Sequence, residues 1–76
     1  MAQQVSKVVS READARMAQD AWVMARRTAE EAKARANYTC EMADCQAYSA
    51  AKKACERAYA AYVSACRAVQ RARQAA

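Results

Sequence analysis

Cys40, Cys45, Cys55 and Cys66 have the widest chemical range of any side chains in this 76-residue chain. Thiolates ligate soft metals, attack electrophiles or pair as disulfides. Histidine is absent, which removes Cys₂His₂ zinc sites and the commonest general base. The cysteines follow one another at steps of 5, 10 and 11, with no CxxC pair, unlike common Cys₄ zinc spacings. An even set of cysteines in a short chain points instead to staples and an oxidising setting. There is no glycine, hence no Gly-rich phosphate loop, and no nucleophile has a base partner. Glu30-Glu31 and Lys52-Lys53 read as solvated helix faces. The expectation is a protein that is not an enzyme and carries no cofactor and no metal.

Helix geometry limits how those cysteines can pair. In one straight helix Cys55 and Cys66 lie about 16.5 Å apart and Cys40 and Cys45 point about 140° apart, beyond what a disulfide spans. Bonds therefore require a hairpin or a second chain. A nested pairing of Cys45 with Cys55 and Cys40 with Cys66, turning near Ser49 to Lys53, is the best of three connectivities, although several residues out of register. Cys45 and Cys55 form a CX9C pair, which resembles half of the twin-CX9C helical hairpins of the mitochondrial intermembrane space. The other half of that pattern is absent.

The elements that position these residues are helical. The chain has no Gly and no Pro, the strongest breakers of regular structure, and is rich in the helix formers Ala, Arg, Glu, Gln, Lys and Met. Leu, Ile and Phe are also absent, so apolar bulk comes from Val, Met, four Tyr and Trp22. Ala makes up more than half of the 55% apolar residues, and its burial removes little area from water at roughly 25 cal/mol per Å². A chain this short cannot build an ordinary core from such material. The predicted fold is all-α: one domain over 1–76, either a long Ala-rich helix or an antiparallel helical hairpin, disulfide-stapled, self-associating, or both. Residues 1–9 are expected to fray, with Ser6 or Ser10 as N-cap. Thr28-Ala-Glu-Glu31 has the form of a capping box but reads better as helix interior. Asn37-Tyr38-Thr39 and Tyr48-Ser49 are the weakest helical stretches.

Small residues recur in steps of 4, 4 and 3 over 17–76, from Met17, Ala21 and Ala25 through to Val69, Ala72 and Ala76, and 13 of these 17 positions are Ala. None is charged, although 28% of the chain is. Eleven residues in three turns is about 3.67 per turn, so the stripe runs nearly straight along one helix face. Trp22, the Tyr residues and the cysteines lie off it. Two uses compete for such a face. It can be a seam along which Ala lets two helices approach closely, or a flat array of methyls facing water.

The second use has a family pattern. Thr28, Ala32 and Ala36, then Thr39, Ala43 and Ala47, follow TxxxAxxxAxx, and this resembles the α-helical type I antifreeze proteins of fish. The resemblance spans residues 17–76 and implies non-catalytic adsorption to ice through Thr28, Ala32, Ala36, Thr39, Ala43, Ala47, Ala50, Ala54, Ala58, Ala61 and Ala65. It departs from the family in its low Ala content (23 of 76 residues), its four Cys, its Trp and its many Arg, and Met17, Ala50, Ala61 and Ala72 stand at leading positions in place of Thr. A further resemblance, of Thr28 to Ala36 to the repeats of group 3 late-embryogenesis-abundant proteins, implies a stress or membrane-surface helix.

Charge and hydropathy set the remaining expectations. Net charge is +5 with both signs interspersed, so no specific nucleic-acid partner is predicted. No stretch approaches the roughly 20 apolar residues of a membrane span. Met1 leads into Gln3, Gln4 and Ser6 rather than an apolar run, so no leader is read. With the even cysteine set, a mature extracellular form is favoured over a cytoplasmic one. The expected partners are ice or ordered water and a second copy, as a homodimer or bundle.

Overall fold

The computed structural model describes residues 2–75, with side chains described from Val5 onward. Ala76, the last position of the small-residue stripe, lies outside them, as does Met1. Two helices, α1 (Ala2–Thr39) and α2 (Met42–Ala75), form an antiparallel hairpin measuring 57 × 13 × 12 Å. The alternative of one continuous rod is thereby excluded. α1 is already helical at Ala2, ahead of both Ser6 and Ser10, so neither serine caps it. Thr28 is interior to α1 and its hydroxyl donates to the Met24 carbonyl at 3.1 Å, a bond that satisfies Oγ1 without ending the helix.

The chain reverses at Cys40 and Glu41, not near Ser49 to Lys53, which lie inside α2. Cys40 has φ 55°, the left-handed conformation that terminates many helices and usually falls to Gly. With no Gly in the chain, a cysteine takes it. The Cys40 N–H donates to the Ala36 carbonyl at 2.9 Å, and the Glu41 carbonyl accepts from Cys45 N–H at 3.0 Å, opening α2. The Thr39 hydroxyl links the two helices across the turn. It donates to the Asp44 carboxylate at 2.5 Å and accepts from the Glu41 N–H at 3.3 Å. Asp44 in the first turn and Arg73 in the last also match the dipole of α2.

The seam repeats every seven residues. On α1 the positions turned inward are Val8, Ala15, Trp22, Ala29 and Ala36, with Ala18, Ala25 and Ala32 beside them; all are buried or half-buried. On α2 they are Tyr48, Cys55, Tyr62 and Val69, beside Asp44, Ala51, Ala58, Ala65 and Ala72, again with none exposed. A seven-residue repeat at 3.5 residues per turn is the pattern of helices wound about one another. The core is thin. Ala36 at 7% and Val69 at 8% exposure are the only buried apolar residues among those described. Bulk is concentrated at one station, where Trp22 stacks on Tyr62 and tilts against Tyr59. Near the open end Arg73 donates to Glu12 at 2.8 Å, an exposed pair worth no more than about 1 kcal/mol.

Candidate interaction face

The two heptad rows on each helix divide the hairpin into two unlike sides. One side is floored by Trp22, Tyr48, Cys55 and Tyr62 and edged by charged residues. A shallow depression there is lined by Arg26, Glu30, Lys33, Lys52 and Glu56 over Ala29, Tyr48 and Cys55. A second is lined by Glu12, Arg16, Arg73, Tyr62 and Cys66. Arg26 sits over the Trp22 ring at 5.2 Å, a cation–π contact that covers the indole. The Cys66 side chain beside the Tyr62 hydroxyl, helped by the charges of Cys66 and Tyr59 and by burial, pushes the Tyr62 phenol above its ordinary pKa.

The opposite side is built from small residues. α2 presents Ala at every seventh position from Ala47 through Ala54, Ala61 and Ala68 to Ala75, next to the Ala51, Ala58, Ala65 and Ala72 row. α1 contributes Ala18, Ala21, Ala25 and Thr28, with Met17 and Met24 standing out at 71% and 61% exposure. Between Met17 and Thr28 no residue of α1 on this side is charged. On α2 exposed Arg57 stands in the same seven-residue row as Ala50 and Arg71, and further charge comes at the ends. Lys7, Arg11 and Arg71 line one depression near the helix termini, and Glu31, Arg35 and Asp44 line another near the turn.

The eleven predicted ice-binding positions do not share one face. Thr28, Thr39, Ala43, Ala47, Ala50 and Ala61 are exposed; Ala32, Ala54, Ala58 and Ala65 are half-buried in or beside the seam; Ala36 is buried. The turn reverses direction immediately after Thr39, so the 11-residue line runs from Thr28 to Thr39 on α1, is broken there, and restarts in the opposite direction on α2, as from Ala43 through Ala54 to Ala65. The Thr39 hydroxyl is engaged in the turn. The reason is periodic. Repeats of 3.67 and 3.5 residues per turn diverge by about a quarter turn over 20 residues, so a straight stripe crosses a heptad seam rather than following it.

The four cysteines are free thiols, and the predicted disulfide staple is not formed. The turn at Cys40 puts Cys45, Cys55 and Cys66 on one helix, where no other cysteine faces them across the seam. Cys40 and Cys45 are exposed, while Cys55 and Cys66 are half-buried. Among the described residues no three His, Cys, Asp or Glu side chains converge as a metal site, and no helix is long and apolar enough to cross a membrane. The heptad rows are the feature that reading the chain as one repeat overlooks. Positions 15, 22, 29 and 36 and positions 48, 55, 62 and 69 carry the signal, masked because Ala fills both periods. Comparison with protein-family models, curated protein sequences and solved structures finds no match.

Proposed function

We propose that this chain is a non-catalytic interaction module, an Ala-seamed helical hairpin that docks through its Ala/Met/Thr side. One observation carries this reading. Met17 and Met24 stand exposed on a side where α1 carries no charge from Met17 to Thr28 and α2 offers rows of Ala, with Arg57 at their edge. Met fills irregular gaps on binding surfaces, and rows of Ala admit a neighbouring helix closely. The hairpin's own core is too thin for strong independent stability, so covering this side stabilises the fold as well. Met42, 75% exposed and off this side, is a built-in reference. Hydroxyl-radical oxidation of the protein in extract from its source should spare Met17 and Met24 relative to Met42. Equal oxidation of all three would overturn the proposal.

A second reading keeps ice as the partner. The exposed methyls of Thr28, Ala47, Ala50 and Ala61 lie on the same Ala-rich side and would order water in a sheet. Thermal hysteresis with faceted ice crystals at millimolar protein, lost in Ala61→Arg, would establish it. Rounded crystals with no freezing gap would remove it.

A further inference from the structure

We infer that the outer ridge of α2, with the basic depression at its terminal end, binds the phosphate walls of duplex DNA without reading the bases. The ridge lies beyond the far edge of the α2 Ala rows, away from Met17 and Met24, so this goes beyond the docking role proposed above. Along the chain the two signs of charge are interspersed, but the helix sorts them. Two rows on the outer side of α2 run through positions 43, 50, 57, 64 and 71 and positions 46, 53, 60, 67 and 74. They hold Lys53, Arg57, Arg67 and Arg71, all exposed, and no Asp or Glu. Among the described residues none of these four has an ion-pair partner. The nearest acid on α2 is Glu56, one row beyond Lys53, and Lys52 stands one helical turn before it. At the open end Arg71 joins Lys7 and Arg11 around a depression of about 270 Å³ floored by Ala68, Ala72 and Ala75, with no acid in its lining. Asp14, close by, is engaged by Arg11 at 3.6 Å.

Spacing and shape select the polyanion. The cations fall into two groups, Lys53 with Arg57, and Arg67 with Arg71 and the depression. Arg57 and Arg67 are about 15 Å apart along the helix. Between them the ridge carries only Ala60, Ala61 and Ser64. A helix so slim fits the roughly 12 Å major groove of B-form DNA, with one cation group at each phosphate wall and small side chains over the base edges. Contacts to phosphate alone carry no sequence information. The same features disfavour other polyanions. An anionic bilayer favours bulky apolar side chains inserted beside the cations, and the ridge has none. The major groove of duplex RNA is too narrow to admit them. No aromatic residue stands on the ridge to stack on single-stranded bases or to anchor a protein partner.

Fluorescence anisotropy of a labelled, mixed-sequence DNA duplex, titrated with the full chain under reducing conditions, tests this. Binding should weaken with salt at a slope of about −4 to −5 in log K against log salt, for four to six phosphates at about 0.9 each. Arg57→Gln and Arg67→Gln should each reduce that slope by about 0.9 and weaken binding about eightfold at about 0.1 M salt. Arg27→Gln, which removes the same charge from an exposed position on α1, should change neither. Circular dichroism should show all three variants helical, since Gln is a good helix former. Duplex RNA of the same length should bind on the order of tenfold more weakly, and phosphatidylserine vesicles should not displace the DNA. A wild-type chain that leaves the DNA free at low salt would overturn the inference. So would an Arg27→Gln loss equal to that of Arg57→Gln, which would make net charge the cause. Equal affinity for duplex RNA, or displacement of the DNA by vesicles, would also overturn it. None of these outcomes bears on the oxidation of Met17 and Met24, which judges the docking side by itself.

Discussion

The Trp22 indole lies nearly parallel to the Tyr62 ring, with 5.5 Å between centroids and 12° between planes. It is also 5.0 Å from the Tyr59 ring. Elsewhere the seam is mostly Ala, so this aromatic station supplies much of the dispersion and apolar burial between the helices.

Trp22→Ala should therefore be the most damaging single truncation. A loss of about 2–4 kcal/mol is expected, read as a fall in the urea midpoint at fixed protein concentration. Tyr38→Ala, at a position 91% exposed, should leave the midpoint unchanged.

The turn should respond in opposite directions at two adjacent residues. Cys40→Gly removes the steric cost of a left-handed cysteine and should stabilise by about 1 kcal/mol. Thr39→Val deletes the hydroxyl that joins Asp44 to the Glu41 amide and should destabilise by about 1 kcal/mol. Thermal melts of the two variants beside wild type decide the signs.

Alkaline pH should weaken the fold through Tyr62. Its phenol is held protonated above the unfolded value of 10.0, first by the Cys66 side chain. The folded state thus keeps a proton that the unfolded state releases, and stability falls as pH rises above 10.0. Absorbance titration of the phenolates should show one late component that moves down in Cys66→Ala. An unchanged titration in that variant would exclude Cys66 as the cause.

Reduction should not lower the melting temperature, because all four thiols are free. A thiol-reactive disulfide reagent should modify Cys40 and Cys45 before Cys55 and Cys66, following their exposure. A melting temperature that drops with reductant would reveal a covalent staple.

Helicity was legible from composition, since helix propensity and the lack of Gly and Pro act residue by residue. The placing of Trp22, Tyr48, Cys55 and Tyr62 off the small-residue stripe was legible too, because helical periodicity sorts side chains before any partner is chosen, but the stripe itself does not stay on one face. The turn was only half legible. Asn37-Tyr38-Thr39 read as a weak stretch, but a left-handed cysteine carries no local signature, and the cysteine pattern drew the turn towards Ser49 to Lys53. What tertiary structure alone decided is which Ala residues face inward. Ala satisfies an 11-residue and a 7-residue repeat equally well. Only winding one helix on another, with Trp22 seated between Tyr59 and Tyr62, selects 3.5 residues per turn. That choice buries Ala36, exposes Ala61 and separates residues that lie on one line of the unfolded repeat.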